Sequence, residues 1–520
     1  MAQHRLSSVE GRFVLAATIL VSGMVALLGR SVSIALPTIQ NALATDITGI
    51  QWLVNAFGLV MAAFMLVSGA VSDGIGRKRV FCSGILIFLV GSVLAALAQN
   101  IVQLILAHAG MGLGAVLMLP ACLSIINVVF SDSEKGRAIG LWAGLGGGFG
   151  VAGFLIGGWI IQEFGWRAIF LINVPIALTA LAIALRYVPE SRAIDTMRAD
   201  WAGAIWLAIG LLGISYALIQ GPSTNWLAAP VVGSAAVGLA AVARFVWMQR
   251  SATSPLMPLH LFENRTMAAA NLMTFFLYFS LNGVYVFQVI YFQQQFGYTP
   301  LAAGAGMLVP SLMVTLFAGP AGTLTDRIGP RLPLIFGPLL AALGMAVLTL
   351  SDHEANYFIH FLPGLALISA GMVIFVAPIT NSALAVEQRY SGVASGINNS
   401  VARISGLFAV AIIGAVMATA FANSLGDLVA ASSLTPSERQ ALLAQIDKVG
   451  GIEIPQGFGE ATAATARSIV EQSLTHAFRW AMGVNAAFAL ISAAIAWSMI
   501  RKSAPVAPAI GEGDAPIRPL

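Results

Sequence analysis

Gly69-Ala-Val-Ser-Asp73-Gly-Ile-Gly76-Arg77-Lys78-Arg79 lies between two long apolar runs, and its reading decides the fold. Three basic residues, one acid and three glycines interrupt segments that otherwise carry almost no charge. A second copy follows much later, Gly322-Thr-Leu-Thr-Asp326-Arg327-Ile-Gly329-Pro-Arg331. The shared pattern is close to Gly-x-x-x-Asp-x-Ile-Gly-x-x-Arg. Two such loops between apolar helices imply two related halves, and related halves in a membrane imply that one moves against the other. Asp73 can cap a helix start or pair with Arg77, and the glycines let helix ends approach closely. The loop then serves as a gating latch, or it is a basic turn with no moving role.

Composition restricts the class. The chain has 520 residues, 58% hydrophobic and 9% charged, with mean hydropathy +0.87. A soluble domain of this length cannot hide that much apolar surface. Net charge is +4 with no basic cluster suited to nucleic acid. Cys82 and Cys122 lie inside apolar runs, so neither reads as a disulfide or a metal site. There is no nucleotide loop, metal-ligand cluster or nucleophile–base set, so neither an enzyme nor a cofactor is expected.

Apolar length and polar breaks give about fourteen spanning helices. They are read at Phe13 to Leu36, Ile50 to Ser72, Val80 to Ala98, Val102 to Asn127, Ala138 to Ile161 and Arg167 to Val188. Two more follow at Trp201 to Gln220 and Ala228 to Met248. Then come Met267 to Ile290, Ala302 to Thr323, Pro333 to Leu350, Phe358 to Leu384, Gly392 to Phe421 and Thr475 to Ile500. With the N-terminus inside, about 19 of the 26 Lys and Arg fall on inner loops and tails and about 5 outside. Both termini are therefore expected in the cytoplasm, the chain in the cell (inner) membrane, and the protein a monomer in lipid. The outer segment 423–473 is the only long loop, with a capped amphipathic helix expected after Thr435-Pro436-Ser437-Glu438. The tail after Lys502 is expected to be disordered.

The repeated loop resembles the signature loop of the major facilitator superfamily. Further stretches resemble its fourteen-helix branch, the drug:proton antiporters: Ala35-Leu36-Pro37, Gln51-Trp52-Leu-Val-Asn55, Trp166-Arg167-Ala-Ile-Phe170-Leu-Ile-Asn173-Val-Pro175, Pro255-Leu256 with Leu261-Phe262-Glu-Asn264-Arg265, Gly297-Tyr298-Thr-Pro300, and Gly392-Val-Ala-Ser-Gly396 with Asn399 and Arg403. The resemblance covers about Phe13 to Ile500. It implies an all-α polytopic membrane protein of the major facilitator fold with 14 transmembrane helices. Its two six-helix bundles would be 13–188 and 267–500. Residues 189–266 would be a linker holding two extra helices, and 1–12 and 501–520 cytoplasmic tails. It also implies export of hydrophobic or amphipathic organic compounds by alternating access. Coupling to protons is left open. The alternatives are a membrane sensor or scaffold that does not transport, and an uncoupled facilitator or lipid transporter.

Two departures bear on mechanism. In the family the fifth helix carries Gly-Pro pairs; here Phe154 stands where a proline is expected. The family usually places an aspartate in the first helix, and the equivalent position is Leu28. All 22 acidic residues fall in loops, tails or helix ends by this reading. What remains inside is basic. His108 can carry a coupling proton or be a neutral, hydrogen-bonded histidine at a helix interface. Arg30 can attract an anionic substrate or headgroup, or pair with Asp46 or Glu163.

The candidate site follows. Gly69, Asp73, Gly76, Arg77, Asp326, Arg327, Gly329 and Arg331 are gating residues. Arg30, Trp52, Asn55, Tyr278, Asn282, Tyr285, Gln288 and Arg403 line or flank the path. Asn271, Tyr278 and Tyr285 at steps of seven, with Asn282 and Gln288, suggest one polar-aromatic stripe that faces either the cavity or another helix. Spacing of four assigns Gly144 and Gly148 to one packing face of the fifth helix, and Gly153 and Gly157 to another.

Overall fold

A computed structural model describes residues 5–192, 199–252, 255–352, 355–387, 390–449, 451–455 and 457–500, with the side chains of Asp132, Ala318, Thr323, Leu324, Asp326 and Ser391 left out. The expected disordered tail after Lys502 lies outside these residues. Fourteen of the described helices are long and apolar enough to span a bilayer. They are α1 (Val9–Ala42), α2 (Ile47–Ile75), α3 (Arg77–Ala96), α4 (Ile101–Val129), α5 (Asp132–Phe164), α6 (Ala168–Leu171 and Asn173–Tyr187), α7 (Trp201–Thr224) and α8 (Ala229–Ser251). Then follow α9 (Arg265–Phe296), α10 (Pro300–Gly306 and Leu308–Ile328), α11 (Arg331–Leu348), α12 (a π turn Tyr357–Phe361 leading into Leu362–Ala383), α13 (Ser391–Ala431) and α14 (Glu460–Met499).

Short polar residues start several of these helices, because the first amides have no intrahelical acceptor. Asp46 accepts from Gly49 N at 2.8 Å, Asn100 from Gln103 N at 3.0 Å and Asp200 from Gly203 N at 2.8 Å. Gly76 (φ +125°) and Gly329 (φ +77°) end α2 and α10 in conformations that favour glycine.

Helices α1 to α6 pack among themselves, as do α9 to α14, and α7 pairs with α8. The extra pair is not a loose insertion. Leu207 and Leu211 of α7 and Phe245 of α8 bury against Ala62 of α2 and Leu407 of α13, touching both groups. The groups meet most directly at α2–α13 and α5–α10.

One boundary is corrected. The long loop expected over 423–473 shrinks to 432–459, because α13 runs on to Ala431 and α14 begins at Glu460. These extensions are rich in alanine and remain helical after they stop being apolar. Within the loop, Pro436–Leu443 is helical with a capping box: Glu438 N donates to Thr435 Oγ1, and Thr435 N donates to the Glu438 carboxylate at 2.7 Å. The bond from Thr435 N holds the Glu438 carboxyl below its usual range.

Candidate functional site

A cavity of about 1250 Å³ lies between the two helix groups. Its mouth is formed by Gly69, Ala70 and Asp73 at the end of α2, Asn127 near the end of α4, Asp200 before α7, and Gly392 at the start of α13. Its floor includes Leu28 and Arg30 of α1, Asn55 of α2, His108 of α4, Tyr278, Asn282 and Tyr285 of α9, and Arg403 of α13. The volume exceeds what most drug-sized ligands occupy.

Beyond the floor the bundle is sealed. Gln51 Nε2 of α2 donates to Val410 O of α13 at 2.9 Å, and Gln293 Nε2 of α9 to Ile34 O of α1 at 2.8 Å. Gln294 Nε2 donates to Gln40 Oε1 at 3.1 Å, and Gln40 Nε2 to Lys448 O of the 432–459 loop at 2.9 Å. The backbone of α10 presses onto α5: Gly304 meets Phe154 O, and Gly158 meets Pro300 and Leu301, so closely that a Cβ would clash. Among the described residues the cavity thus opens at the end that carries the repeated loops.

Those loops are tied down, each to the last helix of its own group. Asp73 Oδ1 and Arg77 Nη2 form an ion pair at 2.8 Å. Arg77 N donates to Ser191 O at 2.9 Å, Lys78 N to Glu190 Oε1 at 3.2 Å, and Arg79 lies 3.6 Å from Glu190 Oε2. Ser191 and Glu190 follow directly on α6. In the second copy Arg331 Nη2 donates to Trp497 O at the end of α14, 3.2 Å away. Arg327 is exposed. The Asp326 side chain lies outside the described residues. Among those described, the polar contacts of both loops stay within their own helix group.

The path candidates separate. Asn55, Tyr278, Asn282, Tyr285, Arg30, Arg403 and His108 line the cavity. Trp52 does not: its ring tilts against Tyr216 of α7 at 6.2 Å. Gln288 is fully buried and Asn271 accepts from Asn398 Nδ2 at 3.3 Å, so the expected stripe narrows to three residues. His108 is buried, stacked on Phe57 at 5.0 Å, with Nδ1 2.9 Å from Leu53 O. Since a carbonyl only accepts, Nδ1 carries the hydrogen. Arg30 pairs with neither Asp46 nor Glu163; its guanidinium lies over Tyr285 at 4.5 Å and Phe154 at 5.2 Å.

The glycine face of α5 also moves. Gly146, Gly150, Gly153 and Gly157 lie against Ser22, Ala26, Leu27 and Ser31 of α1. Gly144 and Gly148 face open space, so they are not packing residues here. Sequence reasoning missed Glu190, Phe154 as the partner of Arg30, and the four sealing glutamines. A glutamine in an apolar run says only that a partner exists, not which one.

The family model of the Major Facilitator Superfamily matches residues 18–410 and, in a second match, 270–520. Multidrug resistance protein Stp of Mycobacterium tuberculosis is 32% identical over 416 residues, covering 79% of this chain and 76% of that protein. The tetracenomycin C resistance and export protein of Streptomyces glaucescens is 29% identical over 483 residues, 91% of this chain and 88% of that one. Among solved structures, a bacterial homolog of the human lysosomal transporter Spinster superposes with TM-score 0.65 at 17% identity, over 96% of this chain and all of that chain.

Proposed function

The chain belongs to the Major Facilitator Superfamily, and we propose that it exports hydrophobic or amphipathic organic compounds by alternating access across the cell (inner) membrane. Its bundles are 13–188 and 267–500, joined through 189–266, and its termini are cytoplasmic by the distribution of Lys and Arg. The observation that carries the reading is the cavity open at one end and sealed by inter-group hydrogen bonds at the other. Each such bond is worth about 0.5–1.5 kcal/mol net. The seal is therefore firm enough to define a state and weak enough to be exchanged for a latch at the loops. Gly69, Asp73, Gly76, Arg77, Asp326, Arg327, Gly329 and Arg331 are the gating set in this account. The present bonds of Arg77 to the segment after α6 and of Arg331 to α14 are what the open state uses in place of the latch.

Where a proton gradient drives export, the proton passes through His108. Its Nδ1 is committed to Leu53 O, leaving Nε2 to gain and lose the proton. No carboxylate lines the cavity floor among the described residues, which supports this choice. The test is accumulation of dyes and antibiotics in an efflux-deficient cell, with and without a protonophore. Expression is expected to lower accumulation, the protonophore to restore it, and His108→Gln to remove the protonophore effect. Unchanged accumulation across a broad panel would favour a sensor or scaffold that does not transport.

A further inference from the structure

Among the described residues the cavity floor holds two cations and no anion. Arg30 comes from α1 and Arg403 from α13, one from each helix group, and both line the same cavity. Among the described residues neither guanidinium has an ion pair or donates a hydrogen bond to protein. The carboxylates that line the cavity, Asp73 and Asp200, sit at its mouth and are already engaged: Asp73 by Arg77, Asp200 by Gln249 Nε2 at 2.8 Å and Gly203 N. A charge at this depth is costly and marks function when it is kept.

The surroundings hold Arg30 without neutralising it. The Phe154 and Tyr285 rings lie under the guanidinium carbon at 5.2 and 4.5 Å. A cation–π contact consumes no hydrogen-bond acceptor, so the N–H donors remain for a ligand. Phe154 is fully buried, and Gly153 beside it lets α5 close onto Leu27 and the Arg30 Cβ. Asn55 adds a carboxamide that is 1% exposed, lines the same cavity, and has no protein partner for either amide atom. Leu28, Val32, Phe57, Leu119 and Val286 supply apolar wall.

Resting on the transport reading above, we propose that the cavity selects anionic amphiphiles, with the carboxylate, phosphate or sulfonate of the cargo held between Arg30 and Arg403. Guanidinium edges match such groups in bidentate fashion. Because the two arginines belong to opposite helix groups, the anion ties the groups together. A hydrophobic cation meets two like charges there and is rejected.

The test uses the full chain in phosphatidylcholine nanodiscs with three fluorescent probes of one skeleton: 11-(dansylamino)undecanoic acid, its neutral methyl ester, and the amine analogue. The acid is expected to bind at least about tenfold tighter than the other two. Arg30→Gln and Arg403→Gln should each weaken the acid about tenfold and leave the ester unchanged, which also reports that the variants are folded. Phe154→Leu should weaken the acid less than loss of the arginine itself. Ester or amine binding as tight as the acid, or a preference that survives in the double variant, overturns the proposal. Adding phosphatidylglycerol separates the sources. Competition that depends on the arginines supports a lipid headgroup as cargo, and its absence supports a free organic anion. Flux of the same probes in proteoliposomes tests the two readings apart. Equal flux of acid and ester leaves transport standing and removes the clamp; selective binding of the acid with no flux of any probe keeps the clamp and removes transport.

Discussion

Gly76 shows how much one position can carry. Its φ of +125° is disfavoured for any side chain, and a Cβ there would come within 2.6 Å of the Glu190 carboxylate. Gly76→Ala is expected to cost about 1–3 kcal/mol from backbone strain, with a further loss if Glu190 is pushed off the amide of Lys78. Thermal unfolding in detergent measures it; an unchanged midpoint would mean that the loop is not held as described. The neighbouring Asp73–Arg77 pair is partly exposed, so Asp73→Asn should change stability by no more than about 1 kcal/mol. Vesicle flux should nevertheless fall clearly if Asp73 also serves the alternate state. Wild-type flux would reduce the pair to a helix-end contact. At this scale the sequence was legible where partners are near in the chain, as with Asp73 and Arg77. It was silent where they are far: Glu190 lies 112 residues from Lys78, and Phe154 lies on a different helix from Arg30.

Helix α5 is the element most open to test. Glycines occur on every side of it, so a spacing of four fits several faces equally well, and only packing shows which one is used. The face in use steps through Gly146, Gly150, Gly153 and Gly157 against α1. Gly157→Leu should therefore force α1 and α5 apart and destabilise by about 1–3 kcal/mol. Gly144→Ala, in open space, should be neutral or stabilising by up to about 1 kcal/mol through helix propensity. Thermal unfolding of the two variants distinguishes the faces, and the opposite order would place the contact on the wrong side. Helix ends were legible to within a few residues where polar breaks coincide with caps, as at Asp46, Asn100 and Asp200. They were not legible at 422–431 and 460–474. Hydropathy reports where a helix leaves the apolar region, and alanine-rich helices continue beyond it.

At the scale of the molecule, the fourteen spans and the repeated loops follow from sequence because each is a local pattern. The state of the machine does not. Which end is sealed depends on contacts between helices hundreds of residues apart, such as Gln51 with Val410 and Gln293 with Ile34. The seal is formed by single hydrogen bonds and close backbone approaches, while the cavity mouth is held open with the loops bonded to α6 and α14. Such a molecule should have a second state in which the seal opens and the loops bridge the groups. The most direct measurement is a pair of spin-label distances on α5 and α10 in nanodiscs, with Cys82 and Cys122 replaced. One pair joins Gln162 to Ala302 at the sealed end, and the other joins Ser133 to Ile328 at the open end. A short Gln162–Ala302 distance and a long Ser133–Ile328 distance are expected at rest, exchanging to the reverse when cargo and a proton gradient are supplied. Two distances that stay fixed under every condition, or that lengthen together, would contradict that exchange.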